Sequence, residues 1–272
     1  MTGLDELLEV ALKQLPPKPD DSVTAAKKKR YSEQMSQVIA QALGEELRNR
    51  GMREARPAPP GELGLSGAER RLAGGIGAKK VDVTWATEES GLLLGLSVKT
   101  INFRDGRSGN YQKNLTNRRA DMLIEAVTLH RRFPYAVLGG LLFLDHGAGE
   151  DGTSTRRSTA LNAHQRLRLF TGRSDPAGRD EQFEGFFLVL VDANPFKPSW
   201  EVREVGKPTQ PINLSEALDG IVDLVAERNF DFYEALNGKI HKLSARAARG
   251  ETASDTDVSD VLVDLDDHAD DQ

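Results

Sequence analysis

The sequence predicts an α/β fold, a mixed central β-sheet flanked by helices, with a helical extension ahead of it and a disordered acidic tail behind it. Three observations lead there. Two nine-residue runs, Ala136–Leu144 (AVLGGLLFL) and Glu184–Asp192 (EGFFLVLVD), are apolar on both faces, as strands in the middle of a covered sheet are. The segments around them carry helical periodicity, giving the order helix, strand, strand, helix, strand, helix, strand. A chain of 272 residues that is 38% hydrophobic and 29% charged can bury a proper core.

Each element follows from its local pattern. Leu4 to Leu15 reads as a short helix stopped by Pro16, Pro17 and Pro19. A second helix runs from Ser22 or Thr24 to about Arg50, with an apolar stripe through Tyr31, Met35, Val38, Ile39, Ala42 and Leu43, and Gly51 as its stop. ARPAPPGELGLSG is a loop by composition, and Ala68–Leu72 is expected as a short helix. Lys79–Trp85 alternates Val81, Val83 and Trp85 with polar residues; after the turn ATEESG comes a second strand, Leu92–Asn102, so the pair is expected as a hairpin. Residues 110–132 are helical, with Leu115, Met122, Ala126 and Leu129 on one stripe and Asn114, Asn117, Arg118, Asp121 and Glu125 on the other. Pro134 ends them. After the strand Ala136–Leu144, residues 155–171 form a basic helix ending near Gly172. Beyond Glu184–Asp192, Trp200–Val205 is expected as an edge strand, and Ser215 as the cap of a helix reaching about Leu236. The chain divides into an N-terminal helical region (1–60), an α/β core (61–249) and the tail (250–272).

Composition excludes several classes of function. With no cysteine there is no disulfide scaffold, thiolate zinc site or cysteine nucleophile, whereas carboxylate-held hard cations stay open. The longest apolar run, Tyr135–Leu144, is about half the roughly 20 residues a membrane helix needs, and MTGLDELLEV has no basic region before an apolar one, so it is not expected to act as a signal peptide. A soluble, cytoplasmic protein is expected. The formal charge of −6 is uneven: nine acidic residues and neither Lys nor Arg fall in 250–272, leaving 36 basic and 33 acidic residues elsewhere. From Ser97 to Arg179 there are 14 Lys or Arg against 7 Asp or Glu, an excess that suits a polyanionic partner.

The chemistry centres on the hairpin. If its turn has an even length, as with Thr87–Ser90, Asp82 lies opposite Gly95, and Ser97 and Lys99 share its face; an odd turn points them away. A carboxylate and a lysine on adjacent strands suit phosphodiester hydrolysis, the one holding a divalent cation and the other steadying nucleophile and developing charge. The sequence V-D-V, a turn, then S-V-K at the end of the next strand and a following helix, resembles the PD-(D/E)xK nuclease superfamily. It is closest in pattern to type II restriction endonucleases with an S-x-K strand motif and an R-x-x-E motif on the next helix. Arg118-Arg119-Ala120-Asp121 is the nearest match to the latter, with Asp in place of Glu and the loop FRDGRSGNYQ inserted before it. Glu125, one turn on, competes with Asp121.

The resemblance implies a restriction-endonuclease-like core and a Mg2+-dependent DNA endonuclease of restriction or defence type. Asp82 and Asp121 or Glu125 would be its metal ligands, with Lys99 and Ser97 in the site, double-stranded DNA as substrate and a homodimer to cut both strands. It also admits an acid from an earlier helix, here Glu69 or Glu46. Lys113, Asn114, Asn117, Arg118 and Arg119 are the candidate DNA contacts. KKKR at 27–30 and Arg156, Arg157, Arg166 and Arg168 are solvated faces or further phosphate contacts, and His130 and His164 read as structural. Ser97 in place of the usual acid keeps a second reading open, a catalytically inactive DNA-binding or protein-interaction module on the same fold. A third is a structural partner whose acidic tail engages another protein.

Overall fold

The computed structural model describes residues 3–59, 61, 70–73 and 78–243; Glu69 and the tail expected over 250–272 lie outside them. Helix α1 (Gly3–Lys13) buries Leu4, Leu8, Ala11 and Leu12, the i, i+4 spacing that places side chains on one stripe. Helix α2 (Ala25–Asn49) does the same with Tyr31, Met35, Ile39, Leu43 and Leu47. It stops where Gly51 takes φ of +94°, a left-handed conformation that glycine adopts without strain. A Cβ there would collide with the carbonyl oxygen of Ile240.

Six strands form the central sheet in the order β3-β4-β5-β6-β7-β8. They are β3 (Val83–Thr87), β4 (Gly91–Ile101), β5 (Val137–Asp145), β6 (Gly185–Asp192), β7 (Ser199–Glu204) and β8 (Pro211–Ile212). β4, β5 and β6 are parallel; the other pairings are antiparallel. Helices α3 (Leu115–His130) and α4 (Thr159–Leu167) make the two crossovers and lie on the same face, packing Leu115, Met122, Ala163 and Leu167 against Leu138, Leu142, Phe186 and Leu188. On the opposite face α1, α2 and α5 (Leu214–Arg228) meet Leu94, Leu96, Val98, Phe143 and Val189. The mixed α/β architecture is therefore a three-layer sandwich, and the N-terminal helices share a core with the sheet. No helix among the described residues is long and apolar enough to cross a membrane.

Several local expectations are corrected. Of the short helix expected over Ala68–Leu72, the described part is strand β1 (Arg70–Ala73), whose backbone pairs with β2 (Ala78–Val81). The strand expected over Lys79–Trp85 is broken at Asp82 into β2 and β3. A short 3-10 turn, Gln112–Asn114, precedes α3. Helix α4 starts at Thr159 rather than 155, because the Ser158 hydroxyl accepts from Leu161 N–H and sets the N-cap there. β7 is not the sheet edge, since β8 pairs with it at Val202 and Ile212. Helix α5 is capped by Asn213, whose side chain accepts from Ser215 N–H at 2.7 Å, and ends at Arg228 rather than near Leu236. The chain then forms a hairpin, β9 (Tyr233–Leu236) and β10 (Lys239–Lys242), around Asn237-Gly238 at φ of 52° and 69°. Asn-Gly with both residues left-handed is the turn that matches strand twist.

Two polar clusters lock the layers. Arg50, at the end of α2, donates from Nε to Glu46 (2.8 Å) and from its terminal nitrogens to Asp219, the Gly238 carbonyl (2.9 Å) and Ser215 Oγ (2.8 Å). Ile240 N–H also donates to the Arg50 carbonyl at 2.7 Å. Glu46, one of the candidate acids, is thus a structural partner of Arg50. Just before β6, the Glu184 side chain is 1% exposed and accepts from Arg173 (3.0 Å), Arg228 (2.7 Å), His130 (3.3 Å) and Leu138 N–H (2.6 Å). Burial alone would raise the Glu184 pKa, but His130, the Leu138 N–H and Arg228 outweigh it and hold it below the usual value.

A carboxylate with a depressed folded pKa stabilises the fold above its unfolded value and loses that contribution as pH falls through the folded one. Glu184→Gln leaves two buried arginines without their counter-ion, so we expect a loss of about 3 kcal/mol in urea unfolding at pH 7. The gap to the wild type should close below about pH 4, under the usual glutamate pKa.

Candidate active site

The register of β3 on β4 decides where the chemistry falls. Thr84, not Asp82, lies opposite Gly95, and Val83 lies opposite Leu96. The turn has three residues, 88–90, an odd length that by itself would send Ser97 and Lys99 to the wrong face. A bulge between Trp85 and Ala86 leaves Leu93 without a partner and restores the parity. Leu93 and Leu94 consequently both enter the α2-side core, and Gly95, Ser97 and Lys99 turn toward α3.

Asp82 sits where the strand is broken. Its Oδ2 accepts from Val98 N–H (2.6 Å) and from Lys99 Nζ (2.8 Å). The Lys99 ammonium also lies 3.3 Å from the Val98 carbonyl oxygen and 3.6 Å from Glu125 Oε2. Three oxygens from three elements thus surround one cationic nitrogen, with side chains 15% (Asp82), 16% (Lys99) and 6% (Glu125) exposed. Burial pushes the Lys99 pKa down, but the Glu125 and Asp82 charges more than reverse this, so it stands above its ordinary value. Lys99 is therefore an ammonium at neutral pH and cannot act there as a general base.

The other candidates separate cleanly. Asp121 is exposed and pairs with Arg118 at 3.4 Å, and no contact joins it to Asp82 or Lys99. Ser97 is buried on the same strand face, and its hydroxyl finds no hydrogen-bond partner among the described residues. No group of three His, Asp or Glu side chains able to hold a metal ion occurs among those residues. The hard-oxygen set around Lys99 is two carboxylates and a backbone carbonyl.

Asp82, Val98 and Lys99 line a cleft of about 1020 Å³, with Glu125 and Ser97 buried outside its lining. One wall is the polar face of α2, including Lys28, Lys29, Glu33 and Gln37; the other is the end of β4 with the loop after it and the start of α3. Ser36 and Ser32 tie the α2 wall to β4 through Thr100 (3.5 Å) and Asn102 (3.1 Å). Lining cations are Lys28, Lys29, Lys80, Lys99, Arg104, Lys113 and Arg118, against the acids Glu33, Asp82 and Asp105. Of the candidate DNA contacts, Lys113, Asn114 and Arg118 line this cleft. Asn117 and Arg119 are exposed and outside its lining, Arg119 lying over the Phe170 ring at 5.8 Å. Glu33 and Gln37 escaped the sequence reading, because the polar side of an amphipathic helix looks the same whether it borders a cleft or open water.

Neither the sequence nor the fold matches a family model, a curated protein or a solved structure. The site is read from its own chemistry.

Lys99→Met removes the cation that Asp82 and Glu125 share. A stability loss of about 3 kcal/mol is expected at pH 7.5, since two carboxylates are left without their shared counter-ion. The wild-type Lys99 contribution is complete below the unfolded lysine pKa, about 10.4, and disappears only as pH rises through the raised folded value. Urea titrations of both proteins across this range check it.

Proposed function

We propose that this chain is a Mg2+-dependent DNA endonuclease of restriction or defence type, with a restriction-endonuclease-like core of the PD-(D/E)xK kind. The observation that carries the reading is the convergence of Asp82, Glu125 and the Val98 carbonyl on Lys99, at a cleft whose lining carries more cations than acids. All three oxygen donors are hard, which fits magnesium better than a softer metal. Asp82 and Glu125, with the Val98 carbonyl, would hold the ion, which when bound supplies Lewis acidity and a more acidic water. Lys99 carries its positive charge toward the scissile phosphate and orients the attacking water. Lys113 and Arg118 neutralise backbone phosphates and fix the register of a double-stranded DNA substrate. A homodimer would bring two such sites to the two strands.

Ser97 supports a second reading, an inactive DNA-binding module, because one carboxylate fewer weakens a divalent site. Incubation of plasmid and phage DNA with purified protein, in Mg2+ or EDTA, separates the two. The nuclease reading expects Mg2+-dependent cleavage that falls by about 100-fold or more in Asp82→Ala, Lys99→Ala and Glu125→Gln. Asp121→Ala should stay within about 3-fold, as expected for an exposed helical ion pair. Salt-sensitive DNA binding without cleavage in any metal selects the inactive module, and cleavage undiminished in Asp82→Ala removes this site assignment.

A further inference from the structure

Between β4 and α3 the chain makes a tight excursion, residues 104–110, whose Arg104, Asp105 and Gly106 form part of the cleft wall. It is a stiff element. Asp105 N–H donates to the Asn110 carbonyl and Gly109 N–H to the Asp105 carbonyl, both at 2.8 Å, closing its base. Inside, the Asp105 carboxylate accepts from Lys113 Nζ (2.7 Å) and from Ser108 N–H and Oγ (3.1 Å each). The Lys113 hydrogen bond is the largest of the effects that lower the Asp105 pKa to about 2. The Asn110 amide oxygen accepts from Gln112 N–H at 3.0 Å, and Tyr111 N–H donates to Asp151 at 3.0 Å, fastening the exit of the loop.

Its three neighbouring cations are not equivalent. Lys113 is held by Asp105, and Arg104 donates to the Tyr111 hydroxyl at 3.4 Å. Arg107, at the tip, is exposed and makes no hydrogen bond or ion pair among the described residues. The hydrogen bonds fix the backbone that carries Arg107, and its unengaged guanidinium fork matches the paired acceptors O6 and N7 of guanine in the major groove. A phosphate contact needs no such rigidity. Resting on the endonuclease reading above, we propose that this loop is the base-reading element of the cleft and that Arg107 reads a guanine in duplex DNA.

The test is selection of bound duplexes from a random-sequence library by the full chain, with Ca2+ replacing Mg2+ as a poorer Lewis acid. The wild type should enrich a motif with at least one fixed G·C pair. Arg107→Ala should lose guanine preference at that pair by about 10-fold or more while its affinity for an unselected duplex stays within about 3-fold. Arg107→Lys, which keeps the charge without the fork, should retain affinity and lose preference. Asp105→Asn should blur the same position, since the loop then loses its internal acceptor. An unchanged motif in Arg107→Ala overturns the loop assignment and leaves the endonuclease reading standing. So does a wild type that binds duplex without any motif, or a uniform affinity loss in Arg107→Ala with a salt slope lower by about 1, the mark of a phosphate contact. A wild type that binds no duplex overturns both.

Discussion

The break at Asp82 is the constraint on which the candidate site depends. A regular strand through this position would continue pairing with β4 and cover its edge. Instead β2 leaves to pair with β1, and the Asp82 carboxylate takes over the backbone partner role, accepting the Val98 N–H. On the side away from β5, the last residues of β4, from Val98 onward, then border the cleft rather than another strand of the sheet. The same carboxylate binds Lys99, so one side chain satisfies an exposed sheet edge and begins the charged cluster.

Two of the charged clusters, around Glu184 and around Lys99, show what separates a scaffold from a candidate site. Around Glu184 two arginines, a histidine and a backbone N–H saturate one carboxylate in a sealed interior. Around Lys99 the proportions are reversed, with carboxylates sharing a single ammonium at the foot of an open cleft. The first arrangement has no free valence for a ligand. The second places Asp82 and Lys99 on the cleft lining, where a ligand can reach them, with Glu125 buried behind.

Much of this was legible in the sequence where burial leaves a period. The doubly apolar runs of β5 and β6, the stripes of α1, α2 and α3, and the pairing of β3 with β4 all follow from spacing. The common face of Asp82 and Lys99 was also foreseen, on the assumption of an even turn; the actual turn is odd and Leu93 compensates, a correction that apolar alternation cannot encode because Leu92, Leu93 and Leu94 are the same residue type. Asp121 and Glu125 lie one turn apart on a helix, and only packing against β4 distinguishes the buried acid from the exposed one. The hairpin after α5 did have a signal, Asn237-Gly238, hidden by a helical reading that ran through it. The α2 wall had none, since its neighbours across the cleft are roughly 60 to 80 residues away in sequence.

The clasp at the end of α2 has a consequence for how the molecule is made. Arg50 is fastened by Ser215, Asp219 and Gly238, and its carbonyl by Ile240, so the helix that walls the cleft is anchored by the last elements of the core to be synthesised. On the ribosome, α2 waits through nearly two hundred residues of translation before those partners emerge. A chain cut short before β10 therefore lacks part of the fastening of one cleft wall, and that wall is completed only once β10 has emerged.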